Sequence, residues 1–409
     1  MTVHLISNFK FNKMKKILII SALVILLPLS FYLFQPIAVY TTGWSQLPNK
    51  NTLEPLKVHQ DSISKKADSL FRDIFNNLKA PAFSVAVGKN NKLIWSNVMG
   101  YQDIENNTKA SLDTKFRIGS TSKAVTSIGL GVLLQNGKLD FDSKVNQFVP
   151  YANTDLSEVT MKQLASHTSG IRNYGTCFCF PIWEYYNNEE YATVEESVSI
   201  FNDDELLFPS GTDFSYSTYN YTLLSAMIEG AAQKEFRDFM QVSVFDPLGV
   251  NIEAEKEMNP SKHLSKFYDI ENKKYKEVYK VNNSNKWAGG GFLASPTDLV
   301  TVGNAFLNHT LLRKEIMHAL IQPTALKNGQ INKQNYAIGW RNDIIESKIE
   351  GLSGTQIIHH GGTALGSTSL LILFPEYNMS ISLLMNRSGS SSDLFKYAYD
   401  IAKLFISKS

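Results

Sequence analysis

Hydrophobic and polar residues follow different periods in different parts of the chain. Residues 17–34 form an uninterrupted uncharged stretch, long enough as a helix to cross most of a bilayer. Across residues 62–78 the apolar positions recur at helical spacing, which predicts an amphipathic helix that ends before Pro81. Residues 83–98 instead alternate between apolar and polar, and the polar residues 89–92 in their middle predict a β-hairpin.

The C-terminal part of the chain repeats this combination of strands and helices. Residues 356–360, 369–374 and 379–385 are predicted strands, and Asp393 is predicted to cap a closing helix. We expect the two chain ends to form one antiparallel sheet flanked by helices, an α/β (α+β) architecture. Residues 150–285 have helical stretches among loops rich in Asn, Ser and Tyr, and are expected to form an inserted, mostly helical part.

These patterns divide the chain into consecutive parts. The predicted parts are a short cytoplasmic N-terminus (residues 1–16), a transmembrane anchor or signal sequence (17–36), a polar tether (37–58) and a folded domain (59–409). Within the folded domain, residues 59–149 and 286–409 are assigned to the α/β part and residues 150–285 to the helical part.

The N-terminus predicts where the folded domain lies. Lysines crowd before the apolar stretch and none follows it before Lys50, so the positive-inside rule places the N-terminus in the cytoplasm. A cleaved signal peptide is an alternative, although residues 34–39 contain no convincing small-x-small site. A buried core helix fits less well, because the stretch lacks a polar face. We expect a single-span membrane anchor with the domain extracytoplasmic or periplasmic, or secreted if the N-terminus is cleaved.

Composition narrows the class of protein. With 409 residues, of which 43% are hydrophobic and 19% charged, the chain can bury a large core and is not disordered. The net charge of +2 favours neither nucleic acid nor an anionic surface, so a small-molecule or peptide substrate is expected and no nucleic-acid partner. Cys177 and Cys179 lie too close for an easy mutual disulfide, and they lack the spacings of common zinc sites. Neither a metal nor a cofactor is expected, and the oligomeric state is left open.

A candidate nucleophile precedes the most apolar helix of the folded domain. Ser120 stands just before residues 124–134, which are apolar on every side and therefore predict a buried helix. A serine hydroxyl needs a base, and Lys123 projects from the same face one helical turn later. Burial lowers the pKa of an amine, and a helix N-terminus points backbone donors at a developing oxyanion. The Ser-x-x-Lys spacing is weak alone, because a capping serine and a solvated lysine would produce it too.

Further segments, in order along the chain, make the pattern distinctive. They are Asn136-Gly137-Lys138-Leu139-Asp140, the Leu-x-x-His-Thr-Ser-Gly run 164–170, Trp287-Ala288-Gly289-Gly290-Gly291-Phe292 and Tyr336-Ala337-Ile338-Gly339-Trp340. With Ser120 and Lys123, the chain from about Lys79 onward resembles the family of class C β-lactamases, D-Ala-D-Ala carboxypeptidases and related serine hydrolases. The resemblance implies a β-lactamase/transpeptidase-like fold.

The resemblance also implies a tyrosine that shuttles protons. Phe214-Ser215-Tyr216-Ser217-Thr218 resembles the family's Tyr-x-Asn motif, which gives Tyr216 that role. A phenol titrates near 10 in water, so Tyr216 would need the charge of Lys123 to act as a base. Thr218 departs from the usual Asn, which binds the substrate amide, and this is more similar to the lactamase-like serine protease branch. Ester or peptide cleavage is therefore favoured over efficient β-lactam turnover.

The third family element is a His- or Lys-x-Gly strand along the site. Two registers are possible at His359-His360, and His360 suits the family spacing better because Gly362 then falls two residues later. The resemblance implies that Thr363 supplies the second oxyanion amide. Gly362 would let the substrate backbone lie against the strand.

The resulting expectation is a serine hydrolase that acts through an acyl-enzyme on amide or ester bonds outside the cytoplasm. A Ser-His-Asp hydrolase would need a Gly-x-Ser-x-Gly elbow and a zinc hydrolase a His-Glu-x-x-His helix, and the sequence has neither. The remaining alternative is a catalytically weak or non-enzymatic binding or scaffolding protein on the same fold.

Overall fold

The computed structural model describes residues 2–49, 53–56, 61–177, 181–255, 261–346 and 349–406. Its strands are β1 (Ser45–Gln46), β2 (Ala82–Lys89), β3 (Lys92–Asp103), β4 (Thr108–Lys109), β5 (Phe116–Arg117), β6 (Glu253–Ala254), β7 (Tyr268–Glu271), β8 (Lys274–Glu277), β9 (Phe292–Ala294), β10 (Arg341–Ile344), β11 (Gln356–Ala364), β12 (Ser367–Phe374) and β13 (Met379–Met385). Its α-helices are α1 (Thr2–Leu33), α2 (Gln35–Thr41), α3 (Ser62–Asn77), α4 (Ser122–Gln135), α5 (Thr154–Ser157), α6 (Met161–Ala165), α7 (Val194–Val198), α8 (Tyr219–Ala232), α9 (Phe236–Met240), α10 (Asp246–Leu248), α11 (Trp287–Gly290), α12 (Pro296–Leu307), α13 (Lys314–Leu320) and α14 (Ser392–Ile406).

The largest sheet takes its strands from both ends of the chain, as predicted. Its order is β10-β11-β12-β13-β2-β3-β4, with antiparallel neighbours throughout. The predicted hairpin is β2 and β3, turned at Asn90 and Asn91, whose φ angles of 51° and 60° suit a tight hairpin turn. The predicted strand 379–385 has the bounds of β13, whereas β11 continues four residues beyond its predicted end at His360.

Apolar side chains on the two faces of this sheet enter two different cores. Along β12, Leu370, Ile372 and Phe374 pack with helices α3 and α14, whereas Leu371 and Leu373 pack with α4 and α12. Burying one such side chain contributes roughly 1.5–3 kcal/mol, so covering both faces accounts for the continuous apolar run in the sequence. Helix α14 begins one residue before Asp393, which therefore lies in its first turn instead of capping it.

The middle of the chain contains more than helices. Residues 150–285 include helices α5 to α10, but also strands β6, β7 and β8. These strands join two small sheets with orders β5-β9-β6 and β1-β8-β7. The division into an α/β part and a helical part with those boundaries stays a prediction.

Helix α1 contains the predicted apolar stretch. Its segment Lys13–Leu33 is long and apolar enough to cross a membrane, and its side chains contact little else in the described structure. The same properties are compatible with a signal sequence.

Residues 37–47 of the predicted tether contact the folded domain. Helix α2 follows α1 directly, and β1 pairs with β8. The Tyr40 hydroxyl donates to Glu271 at 3.0 Å, and the Leu47 amide donates to the Lys273 carbonyl at 3.0 Å. The polar composition did not predict this docking, because the partner hairpin lies more than 200 residues away in the sequence.

The cysteine expectation is also corrected. Cys177 is disulfide-bonded, and Cys179 is the sequence's other cysteine. Cys179 itself lies outside the described residues. The short spacing therefore did not keep Cys177 a free thiol.

Candidate active site

Ser120 lies in a tight turn between the large sheet and the buried helix α4. The turn is a 3₁₀ helix, Gly119–Thr121, and α4 begins at the next residue. Gly119 has a φ of +49°, and a Cβ there would lie 2.8 Å from the Thr363 carbonyl oxygen on β11. A side chain at this position would therefore push the turn off the strand. The glycine holds Ser120 against β11 at the start of α4.

Lys123 contacts Ser120 from inside the protein. Its Nζ lies 3.2 Å from Ser120 Oγ, 3.3 Å from Thr218 Oγ1 and 2.6 Å from the Gly289 carbonyl oxygen. A carbonyl oxygen only accepts hydrogen bonds, so Nζ donates one hydrogen bond to Gly289. Nζ can donate a second hydrogen bond to the Thr218 hydroxyl. A neutral amine then has its lone pair left for the Ser120 hydroxyl.

The surroundings of Lys123 favour that neutral amine. The side chain is fully buried, and burial is the largest cause that holds its pKa well below the usual lysine value. The positive charges of Arg341 and Lys286 lower the pKa further. The lowered pKa favours the neutral amine, which is the form that can accept a proton.

Tyr216 completes the group of predicted catalytic side chains. Lys123 Nζ lies 4.9 Å from the centre of the Tyr216 ring. Burial raises the pKa of Tyr216 to about 12, against hydrogen bonding with Ser120 and the charge of Arg341, which both lower it. The phenol is therefore protonated at neutral pH. Burial opposes a charge on Lys123, so the expectation that this charge would make Tyr216 a base stays a prediction.

His167 supports Tyr216, a function that the sequence did not predict. Its ring centre lies 4.1 Å from that of Tyr216. Its Nδ1 accepts from the Ser217 amide at 3.3 Å and lies 3.1 Å from Asn220 Nδ2, so the proton resides on Nε2. His167 has a φ of 60°, a conformation uncommon for residues other than glycine, and it belongs to the recognised Leu-x-x-His-Thr-Ser-Gly run. That motif therefore provides the surface against which the tyrosine packs.

The two adjacent histidines face opposite sides of β11. His359 packs on Phe395 of α14 with ring centres 4.8 Å apart, away from the cleft. His360 lies on the side of Tyr216, and its Nε2 is 2.8 Å from the Tyr336 hydroxyl. Its Nδ1 lies 2.7 Å from the Gly361 carbonyl oxygen, so Nδ1 donates and Nε2 accepts. His360 is buried behind Tyr216 and is not among the described residues that line the cleft at Ser120.

Thr218 and Thr363 both line the cleft beside Ser120. The Thr218 amide donates to Asn173 Oδ1 at 3.0 Å, which fixes the hydroxyl near Lys123. Thr363 directs its side chain away, towards the Gly389 carbonyl, and its backbone abuts Gly119. The role of the Thr363 amide as an oxyanion donor beside that of Ser120 stays a prediction.

Gly362 lies against the segment that leads to Ser120. A Cβ at Gly362 would lie 1.9 Å from the Ile118 carbonyl oxygen and 2.4 Å from Ser369 Oγ. The missing side chain therefore leaves room for the segment that leads to Ser120. It does not leave room for substrate on that side of the strand.

Two cations near the cleft were not predicted. Lys286 lines the cleft, with Nζ above the rings of Tyr174 and Tyr185 at 5.0 and 5.7 Å. Burial and the charge of Arg117 lower its pKa to about 8. Arg341 lies with its guanidinium carbon 5.8 Å from the Tyr216 ring centre. Lys286 directly precedes the recognised segment Trp287–Phe292, and Arg341 directly follows Tyr336–Trp340. This adjacency was the feature of the sequence that could have identified them as site residues.

The cleft itself is small, with a volume of about 50 Å³. Within the described ranges, no group of three or more His, Cys, Asp or Glu side chains is arranged to hold a metal ion. The polar groups that line the described cleft are hydroxyls, the Lys286 amine, phenols, the Asn283 carboxamide and backbone amides.

Comparisons with known proteins agree with this geometry. A family model described as Beta-lactamase matches residues 67–404. The chain is 30% identical to the human "Serine beta-lactamase-like protein LACTB, mitochondrial" over 394 residues, which cover 75% of this chain and 71% of that protein. It is 29% identical to the mouse protein of the same name, covering 82% and 78%.

Solved structures share the fold at lower identity. A D-amino acid amidase from Ochrobactrum anthropi has a TM-score of 0.70 at 18% identity, covering 84% of this chain and 99% of that one. The penicillin-binding protein homologue from Pyrococcus abyssi has a TM-score of 0.68 at 21% identity, covering 83% and 77%.

Proposed function

Because the chain belongs to the beta-lactamase family and is a serine hydrolase of that family, we propose that it cleaves ester or amide bonds through an acyl-enzyme on Ser120. The observation that carries the proposal is the buried Lys123 amine, which lies 3.2 Å from Ser120 Oγ and whose pKa is lowered by burial and by nearby positive charges. A neutral amine in that position is a general base for the hydroxyl.

Acylation then proceeds with defined proton transfers. Lys123 Nζ takes the proton of the Ser120 hydroxyl while Oγ attacks the substrate carbonyl carbon. The amides of Ser120 and Thr363 stabilise the negative charge that develops on the carbonyl oxygen. When the tetrahedral intermediate collapses, the Tyr216 phenol protonates the departing alcohol or amine. Lys123 returns a proton to Tyr216, so the acyl-enzyme retains the starting protonation of both groups.

Deacylation uses the same groups with water as the nucleophile. Lys123 Nζ accepts a proton from water as the water oxygen attacks the acyl carbon. The Ser120 oxygen leaves and takes that proton back, which releases a carboxylic acid. His167, Arg341 and His360 contact these groups and not the reacting atoms, so we assign them to positioning and to the local electrostatics.

The substrate is proposed to be an acyclic ester or amide, either a small molecule or a peptide. Thr218 Oγ1 is engaged by Lys123, and the residue lacks the side-chain amide that family β-lactamases use for the substrate. A β-lactam would lose that contact, whereas an ester has no amide proton to satisfy.

We further propose that α1 anchors the enzyme in a membrane and that the folded domain lies outside the cytoplasm. Lysines before the span and a flank without Lys or Arg favour this orientation. Protease added to spheroplasts, whose cytoplasmic membrane is intact and whose outer layers are open, should digest the domain while α1 stays with the membrane. Digestion only after membrane lysis would contradict the orientation.

A fluorescent short-chain phosphonate tests the nucleophile. We expect covalent labelling of the full chain, complete loss in Ser120→Ala and retention in Ser122→Ala, whose buried hydroxyl lies on the same turn. Unlabelled wild-type protein would contradict the proposal. A short-chain nitrophenyl ester, a chromogenic cephalosporin and a D-Ala-D-Ala peptide then rank the substrate classes, and we expect the ester to exceed the cephalosporin.

A further inference from the structure

A second, larger cavity adjoins the cleft on the side of the candidate membrane helix. Its volume is about 700 Å³, within the range of pockets that bind small molecules. Its walls are mainly apolar and aromatic, and charged side chains such as Asp269 and Lys276 contribute a minority. Such a wall favours an apolar ligand, because apolar surface is removed from water on binding. The catalytic groups described above do not use this cavity.

The cavity and the Ser120 cleft share part of their lining. Tyr174, Tyr185 and Leu365 line both spaces. The two tyrosine rings lie 5.8 Å apart, and Lys286 lies against both from the cleft side. A chain attached to a carbonyl group at Ser120 would therefore pass these side chains to enter the larger cavity.

The opposite wall of the cavity comes from the segment that leaves the candidate span. Pro36, Ile37 and Val39 of α2 line it, and α2 starts two residues after α1 ends at Leu33. At 1.5 Å per helical residue, this wall begins within roughly 5 Å of the span. The cavity therefore lies next to the expected membrane surface.

Aromatic contacts hold α2 in this place. Phe34 packs edge-on against Trp183 with ring centres 5.4 Å apart, and the Tyr279 hydroxyl donates to Gln35 Oε1 at 3.0 Å. Trp and Tyr side chains prefer the boundary between membrane and water, and here Trp183, Tyr186 and Tyr279 line the cavity at that boundary.

We propose that this cavity binds the long apolar chain of a lipid-like ester or amide, which the enzyme takes from the membrane and cleaves at Ser120. This inference rests on the proposed serine hydrolase function and on the anchor. The apolar walls suit a hydrocarbon chain, the shared lining leads it to the nucleophile, and α2 places the cavity next to the expected membrane surface. A peptide would have to fit its backbone amides against walls that offer few polar partners.

The test compares labelling by two alkyl phosphonates, one with an ethyl and one with a dodecyl chain. It uses the full-length protein in detergent–lipid micelles. Each methylene group buried should accelerate labelling by up to about fourfold, so we expect the dodecyl probe to react at least roughly tenfold faster. Val39→Trp and Val278→Trp place a large ring in the cavity and should abolish this preference without slowing the ethyl probe.

Val242→Trp provides the matched control, because Val242 is exposed and lines none of the described cavities near Ser120. Partition of the dodecyl probe into micelles affects every variant equally, so the ratio between variants reports the cavity. Equal rates for both probes in wild type, or an intact preference in both cavity variants, would overturn the inference while the proposed hydrolase stands. An apolar peptide that protects against the dodecyl probe better than dodecanoate does would also overturn it. If neither probe labels wild type, the proposed function itself fails.

Discussion

Buried cations that lie within a few residues of each other in the sequence differ in whether a carboxylate lies beside them. Arg117 on β5 donates to Glu255 through Nε and Nη2 at 2.9 and 2.6 Å, and Lys115 forms an ion pair with Glu253. Lys123 on α4 has no carboxylate partner within the described residues, and its contacts are a carbonyl and two hydroxyls. The strand before Ser120 thus keeps its charges paired, whereas the helix after it does not.

The difference separates structural cations from a chemical one. A buried charge is tolerated when a carboxylate and further hydrogen bonds compensate its lost hydration, as for Arg117. Without such a partner, a lysine lowers its pKa and gives up the proton, which is the direction found for Lys123. Arginine cannot do this at any ordinary pH. Under the proposed mechanism, the presence of a carboxylate partner therefore distinguishes the cation that fixes the turn from the one that transfers protons.

The largest effect is expected from Lys123→Met. Methionine fills a similar volume but removes the base, so phosphonate labelling and ester hydrolysis should fall by about 10³- to 10⁴-fold. Stability should rise, by about 1 kcal/mol or more in the free energy of unfolding, because no amine has to be buried. Labelling reactions quenched at fixed times measure the rate, and chemical denaturation of the same preparation measures the free energy of unfolding.

The pH dependence of that stability gain provides a control. The folded-state pKa of Lys123 lies below its unfolded value, so the wild type loses stability as pH falls below the unfolded value until the folded pKa is reached. The advantage of Lys123→Met should therefore be larger at about pH 7 than at about pH 9. A gain that is equal at both pH values would mean that Lys123 stays charged in the fold.

Arg117→Met is expected to have the opposite consequence for stability. It leaves Glu255, whose side chain is only 11% exposed, without its cation, and breaking a buried pair costs about 3–5 kcal/mol. The thermal unfolding midpoint should fall accordingly. The double variant Arg117→Met/Glu255→Leu should recover most of the loss, since neither charge is then left unpaired. A double variant as unstable as the single one would mean that packing, not charge, explains the cost.

Much of the fold was predictable because each strand of the large sheet has a hydrophobic pattern that is visible in its own sequence. The alternation at residues 83–98 and the apolar run of β13 reflect burial on one or both faces, which depends on local composition. The spacing of Ser120 and Lys123 is likewise local, because residues three apart on a helix share a face. Tyr216 needed the family resemblance, since nothing local distinguishes it from other tyrosines.

The remaining parts of the site depend on partners that are distant in sequence. Glu255 is 138 residues from Arg117, and Gly289 is 166 residues from Lys123, so no periodicity predicts either contact. The segment after the span was interpreted as a tether for the same reason, because its partners on β7 and β8 are unrelated in local pattern. Gly362 was assigned to substrate contact because the sequence does not indicate which face of β11 meets the Ile118 carbonyl.

Arg341→Gln should make the pKa of Lys123 less unusual without removing the base. The charge of Arg341 is one cause of the low pKa of Lys123, so its removal raises that pKa. The acid limb of the pH profile of kcat/KM, which reports the base of the free enzyme, should shift upward by roughly 0.5–1 pH unit. Activity at the plateau should change little. An unmoved limb combined with a lower plateau would instead assign Arg341 to holding Tyr216.

The smallest effect is expected from Lys286→Met, which removes the more weakly acting of the two charges. Its pKa of about 8 means that Lys286 is charged at neutral pH and loses its charge as pH rises further. The acid limb of kcat/KM should therefore shift upward in this variant, but by less than in Arg341→Gln. Above about pH 8 the profiles of variant and wild type should converge, because the wild-type lysine is then neutral as well. A difference that persists with an uncharged ester above that pH would show that Lys286 acts by its contacts with Tyr174 and Tyr185, and not by its charge.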